Sequence, residues 1–318
     1  MTKRVLSALV LTPIAVLLVW LGGAAYFAGV TIMCLGALWE LTGMFSRMIQ
    51  ERWLEASPIL RPHTLSASAP DDATGADSAR QVVEKTAPQE GAPSRLRVPA
   101  LDANSAWRYF TLAAGALLLF GIWLGQYRSG SPQAVGAGVL LVSLVGLLLG
   151  GPPARRILQW AMGAAAGAYV VGLGLHFIVL RGTDQGLGWT LLACAVTWCT
   201  DIGAFFAGGR FGRRPFFKAI SPHKTLEGAY GGLAAGIVAA VAVVEIGSLH
   251  VPLIAAAFVG LCVSAAAQAG DLVESLVKRE ARVKDSGTLI PGHGGVLDRI
   301  DSLLFAVTVT YYLRLLFS

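Results

Sequence analysis

Nine times along this chain an apolar segment long enough to cross a bilayer as a helix recurs, and that repetition constrains the fold more than any other feature. A bilayer core about 30 Å thick is crossed by about 20 apolar residues in α-helical form. The segments are 5–21, 24–39, 107–124, 134–150, 157–180, 187–206, 226–246, 251–269 and 300–317. Inside lipid each backbone N–H and C=O must be satisfied within its own segment, which selects helices. Composition agrees: 55% of the 318 residues are hydrophobic and 14% are charged. Soluble domains carry about 25% charged residues. A disordered chain, a coiled coil and an ordinary water-soluble enzyme are thereby excluded. The expected fold is an all-α, polytopic integral membrane protein with about nine transmembrane helices.

Charge sets the expected orientation. Lysine and arginine concentrate in cytoplasmic loops of membrane proteins. With the N-terminus inside, 22 basic residues fall on the inner side and only Arg128, Arg181 and Arg314 on the outer side. This predicts a cytoplasmic N-terminus and an external C-terminus, in what reads as a bacterial inner membrane. The net charge of +6 then reflects loops lying against anionic headgroups, and no nucleic-acid partner is expected. The opening Thr2-Lys3-Arg4 and the following apolar run read as a first span, because apolar sequence resumes directly after Gly22-Gly23. Cys34, Cys194, Cys199 and Cys262 all lie in apolar spans without metal or redox spacing, and read as small buried hydrophobes.

Four regions follow. Residues 1–46 hold two N-terminal spans. Residues 47–106, rich in proline, serine, alanine and charge, are expected to be a disordered cytoplasmic insert, since they hold too little apolar surface to offset ordering entropy. Residues 107–186 read as scaffold spans. Residues 187–318, with the loop 271–301, hold nearly all ionisable residues at membrane depth. Such residues are costly there and mark function.

Three clusters carry the candidate chemistry. Asp201 sits more than a turn inside the sixth span, where a cation or a structural partner is required. Ser221-Pro222-His223-Lys224-Thr225-Leu226-Glu227-Gly228 enters the seventh helix; Ser221 or Thr225 can cap it, and capping leaves Lys224 unexplained. A helix N-terminus with a lysine and hydroxyls suits phosphate. In the third cluster, Asp271 ends one helix while Asp298 and Asp301, three residues apart, begin the next and share a face. Lys278, Arg279, Lys284, Asp285, His293 and Arg299 accompany them. Gly294 and Gly295 allow a backbone to approach a ligand. Carboxylates grouped with lysines and arginines at a membrane edge suit a hard cation plus phosphates, and magnesium takes such oxygen ligands. Zinc spacings, a phosphate-loop glycine motif and a G-x-S-x-G nucleophile elbow are absent from the sequence. His63, His176, His223 and His250 are isolated and read as structural or solvated.

Ser275-Leu276-Val277-Lys278-Arg279, then Lys284-Asp285, then Pro291-Gly292-His293-Gly294-Gly295-Val296-Leu297-Asp298-Arg299-Ile300-Asp301 resemble the phosphatidate cytidylyltransferase (CDP-diacylglycerol synthase) signature. Ser221 to Gly228 resemble the same family's S-P-x-K-T-x-E-G stretch, with Leu226 where tryptophan is frequent. The insert before Ser105 is atypical, and the resemblance covers roughly 189–318. It implies transfer of CMP from CTP to membrane phosphatidate, releasing pyrophosphate. It implies Mg²⁺, with or without a second cation, on Asp271 and Asp298, with Asp201, Asp285 and Asp301 as weaker ligand candidates. Lys278, Arg279 and Lys284 would act catalytically beside these aspartates. Ser221, Lys224, Thr225, His293, Gly294, Gly295 and Arg299 would bind substrate. A homodimer is compatible with it. Two other readings stay open: a secondary transporter or lipid-binding protein without catalysis, and a CTP-dependent kinase of a lipid alcohol.

Overall fold

A computed structural model describes residues 2–56, 106–127, 132–149, 153–247, 249–290 and 294–317. Nine helices run through them: α1 (Thr2–Leu21), α2 (Gly23–Ala56), α3 (Ala106–Tyr127), α4 (Pro132–Leu149), α5 (Pro153–Arg181), α6 (Gly186–Phe211), α7 (Leu226–Ile246), α8 (Leu253–Glu280) and α9 (Leu297–Arg314). Each expected apolar segment falls on one of them, and the fold is all-α. Six stretches are long and apolar enough to cross a membrane: Gly23–Gln50, Ala106–Gln126, Arg155–Arg181, Gly186–Phe211, Leu226–Ile246 and Leu253–Glu280. In α1 and α4 the apolar stretches found are shorter, Thr12–Leu21 and Val135–Leu148. The start of α9 carries Asp298, Arg299 and Asp301. Side chains such as Ile32, Phe205, Ile246 and Ile254 are more than two-thirds exposed. Apolar surface of that extent faces lipid rather than water.

One boundary differs from expectation. Helix α2 continues past Arg47 to Ala56, so the insert does not become irregular at 47. Residues 47–56 contain neither glycine nor proline, and Ile49 is buried; with nothing to break the helix, it propagates. Residues Gln50–Asp102 separate from the rest as a second unit, and 57–105 lie outside the described residues.

The second half packs tightly. Helix α6 lies along α7, α7 along α8, and α9 against α8, α5 and α6. A side chain at Gly232 would come within 2.9 Å of the Thr200 carbonyl oxygen, so α7 approaches α6 almost backbone to backbone, as small residues permit in lipid. Thr200 Oγ1 donates to Ser264 Oγ at 3.0 Å, a buried bond that links α6 to α8. Helices α3, α4 and α5 form the neighbouring group. Helix α2 joins it through Leu38, which meets α3 at Gly115, and through Tyr26, whose hydroxyl donates to the Phe177 carbonyl of α5 at 3.2 Å.

Candidate active site

The charged residues that the sequence scatters over a hundred positions line one end of α6, α8 and α9. Asp201 comes from α6, Asp271, Glu274 and Lys278 from α8, Asp285 from the following loop, and Asp298, Arg299, Asp301 and Ser302 from α9. Together they line a polar cavity of about 240 Å³. A larger space of about 620 Å³ shares Asp201 and Asp271 with it, and is walled by Phe205, Gly208, Ser221, Lys224, Thr225 and Gln268, among others. The spacing on α8 explains the first set: Asp271, Glu274 and Lys278 are one turn apart in succession, hence on one face.

Each lysine in the lining is held by acids. Lys224 forms an ion pair with Asp271, which answers what capping left unexplained. Lys278 Nζ lies 2.8 Å from Glu274 Oε2 and 2.7 Å from Asp298 Oδ1. Asp298 is the most heavily bonded of the carboxylates. Its Oδ2 accepts from the Ser286 amide at 3.0 Å, the Ser286 hydroxyl at 2.9 Å and the Gly295 amide at 2.8 Å. Burial opposes ionisation of Asp298, which lies ahead of the apolar part of α9, but the Lys278 ammonium and the Gly295 N–H outweigh it and hold the carboxyl at about 2. Asp301 is buried, and its Oδ1 accepts from the Ser302 amide at 2.7 Å.

The loop before α7 is built as its composition suggests. Thr225 caps α7 by accepting from the Gly228 amide at 3.1 Å. Glu227 in the first turn accepts from the amides of Arg213 and Arg214. Arg279 Nε donates to the Ile220 carbonyl at 3.2 Å, which ties this loop to α8. Lys284 is exposed and outside the lining of both spaces. Gly294 has a φ of +82°, a left-handed conformation that suits glycine. His293, with Pro291 and Gly292, lies outside the described residues.

Two residues were missed by sequence reasoning. Glu274 is almost wholly buried beside Lys278; its position one turn from Asp271 was a legible signal. Glu40 of α2 is buried against the loop after α8: its Oε2 accepts from the Leu297 amide at 3.0 Å and lies 3.2 Å from Ser286 Oγ. The first half of the chain is therefore not pure scaffold. Only a charge inside an otherwise apolar span pointed to Glu40.

Among the described residues no three acids, histidines or cysteines form a ready-made metal cluster. The donor set nevertheless fits a hard cation. Six carboxylate residues against Lys278 and Arg299 line the small cavity, and Glu274 Oε1 is buried with no hydrogen-bond partner among the described residues. A surplus of oxygen anions of this kind is what a divalent cation neutralises.

Fold and site together define an integral membrane protein whose helix ends bring carboxylates and lysines into one polar cavity, the chemistry of polyphosphate handling. The sequence profile of the cytidylyltransferase family matches residues 100–317, and the chain belongs to that family. That is the family the signature at 275–301 led us to expect. Among its relatives is a phosphatidate cytidylyltransferase of Bacillus subtilis, 45% identical over 153 residues, or 48% of this chain and 57% of that protein. The phosphatidate cytidylyltransferase of Brucella suis is 39% identical over 210 residues, covering 63% of this chain and 74% of that protein. That of Staphylococcus epidermidis is 40% identical over 138 residues, or 43% of this chain and 52% of the relative. The alignment thus spans little more than half of the Bacillus and Staphylococcus proteins.

Proposed function

We propose that this chain transfers the cytidylyl group of CTP to phosphatidate, forming CDP-diacylglycerol and pyrophosphate in phospholipid biosynthesis. A phosphate oxygen of phosphatidate bonds to the α-phosphorus of CTP, and the bond from that phosphorus to the bridging oxygen of the β-phosphate breaks, so that pyrophosphate leaves. A phosphate monoester has its second ionisation at roughly pH 6. The nucleophile therefore needs no serine, cysteine or general base from the protein. The barrier is chiefly repulsion between anions and their positioning.

The observation that carries this reading is the convergence of the signature residues Lys278, Asp298 and Asp301 with Asp271 and Lys224 around two spaces that share Asp201 and Asp271. Lys224 and Lys278 supply fixed positive charge to the nucleotide phosphates, with Ser221, Thr225 and the Gly294 backbone beside them. Arg279, Lys284, Arg299 and His293 are further candidates for phosphate or headgroup. Asp271 and Asp298 would hold Mg²⁺, with Asp201, Glu274, Asp285 and Asp301 around them and room for a second cation. A bound divalent cation supplies charge neutralisation on the transferred phosphoryl group and the departing pyrophosphate. Gly295 is assigned mainly to loop geometry, since its amide already donates to Asp298.

In this reading about nine helices cross the inner membrane of a bacterium, N-terminus in the cytoplasm and C-terminus outside. The site then faces cytosolic CTP and a lipid phosphate at the interface.

The test is lipid-extractable label from cytidine-labelled CTP, with full-length protein in mixed micelles of detergent and phosphatidate. Label is expected only with magnesium, and Asp298→Asn should lower the rate by about 100-fold or more while the protein stays membrane-inserted. An active Asp298→Asn enzyme would overturn the ligand assignment. No label from folded wild-type protein would overturn the activity.

A further inference from the structure

We infer that Glu40 is a positioning residue for this reaction: from α2 it caps α9 across the bundle and braces Ser286 and Gly295, whose amides hold Asp298. The inference rests on the activity proposed above, but reaches a residue that precedes the 100–317 family match.

Helix α9 lacks a side-chain cap of its own. The first amides of a helix have no partner inside it, and Ser, Thr, Asp or Asn at the N-cap usually serves them. At α9 the N-cap is Val296, with no side-chain cap. The Leu297 amide donates instead to Glu40 Oε2 at 3.0 Å, 257 positions away in sequence. The same oxygen lies 3.2 Å from Ser286 Oγ; the Ser286 amide donates to Asp298 Oδ2, and its one hydroxyl proton is shared between Asp298 Oδ2 and Glu40 Oε2. Glu40, Ser286 and Asp298 thus form one hydrogen-bonded chain from α2 to the proposed metal and phosphate site. The Glu40 carboxyl oxygen occupies the place of an N-cap acceptor.

Shape points the same way. A Cβ on Gly287 would meet Glu40 with all three of its nearest atoms, including Cδ at 2.6 Å. A Cβ on Gly295 would collide with both Ser286 Oγ and Glu40 Oε2. Two glycines of the signature loop are therefore small because Glu40 lies against them. One turn earlier on α2, Gly36 lets Val296 approach, a Cβ there lying 3.4 Å from Val296 Cγ2. Glu40 is 6% exposed, and its Oε1 has no hydrogen-bond partner among the described residues. A carboxyl buried at such expense in a helix otherwise packed by Leu38, Leu41 and Met44 serves something other than burial.

The test uses the full chain in micelles with Glu40→Ala, Glu40→Gln, Gly287→Ala and the Glu40→Ala/Gly287→Ala pair. Two readouts are taken: kcat and KM of cytidylyl transfer, and hydrogen exchange of peptides covering 284–298. Glu40→Ala should lower kcat by roughly 10–100-fold, the scale of a small misplacement of reacting groups. KM for phosphatidate should move less than about 3-fold. Exchange at 284–298 should rise about tenfold or more, with 190–205 of α6 unchanged. Glu40→Gln keeps an acceptor and should restore most of kcat. Gly287→Ala should be impaired alone but add nothing to Glu40→Ala, because the collision and the contact are one interaction. Wild-type kcat and exchange in Glu40→Ala, or additive losses in the pair, would overturn the inference. If Glu40→Ala fails to fold, Glu40→Gln and Gly287→Ala decide by the same exchange readout. Absence of cytidylyl transfer in the wild type would sink the proposed activity alone, because exchange reads the Glu40 contact without turnover.

Discussion

Lys278 shows how much one side chain does at this site. It is 16% exposed and stands between Glu274 and Asp298, 1% and 7% exposed. Removing one partner of a buried ion pair leaves uncompensated charge, at a cost of about 3–5 kcal/mol. Lys278→Met should therefore lower the midpoint of thermal unfolding in detergent as well as the rate. Adding Glu274→Gln should recover part of the midpoint but not of the rate, which separates the structural from the chemical role of the ammonium. Unchanged thermal stability in Lys278→Met would mean that the two acids are not jointly held by this lysine. Glu274 itself was legible only as a letter in a run of charged residues. Its burial required α9 to be laid against α8.

The helices differ in how locally their ends are specified. Helix α7 carries its own cap: the sequence offered Ser221 or Thr225 ahead of Glu227, and it is Thr225 that accepts from Gly228. Thr225→Ala should destabilise by about 1 kcal/mol, with Thr225→Ser close to wild type, both measured by denaturant or thermal unfolding in micelles. Equal stability of the alanine variant would show that the cap is redundant with packing. Helix α9 has no such local signal and takes its cap from α2. Helix α2 also engages α3 on another face, where Arg108 lies 3.8 Å over the Trp39 ring and its Nη2 donates to the Trp39 carbonyl at 2.7 Å. Because α2 and α3 flank the residues 57–105, the segment 39–42 is tied both to the site loop and to the start of the helix that follows the insert.

The described helices order their connections at two ends. Arg181 Nε donates to the Val19 carbonyl at 2.8 Å, and Gln185 meets His250 at 2.9 Å; these join the turns at the start of α6 and before α8. At the opposite ends of α6 and α8, Arg279 ties the 212–225 loop to α8 and Ser286 meets Glu40. In the proposed orientation, which the excess of lysine and arginine supports, this second end faces the cytoplasm. Single cysteines at Lys218 and at Thr183, in a background lacking the four native cysteines, should react with an impermeant maleimide from opposite sides. Lys218→Cys should label only in inside-out vesicles and Thr183→Cys only in cells or right-side-out vesicles. The reverse pattern would overturn the orientation and, with it, access of cytosolic CTP to the site.

Hydrophobic segments of spanning length dictated helices without any tertiary information, because a chain in lipid has few other ways to satisfy its backbone. Local chemistry likewise marked the cap of α7, and the spacing of Asp298 and Asp301 marked one face of α9. Lys224 and Asp271, the 275–301 run and Asp201 were recognisable as separate clusters. What joins them was not legible. Pairing of Lys224 with Asp271, burial of Glu274 and the reach of Glu40 to Ser286 and Leu297 depend on which helices meet. That choice comes from close approaches such as Gly232 on Thr200, and from contacts between residues up to 257 positions apart. Sequence periodicity records how a helix meets lipid or protein, but not which neighbour it meets. The identity of the neighbour, and hence the assembled site, belongs to the tertiary structure.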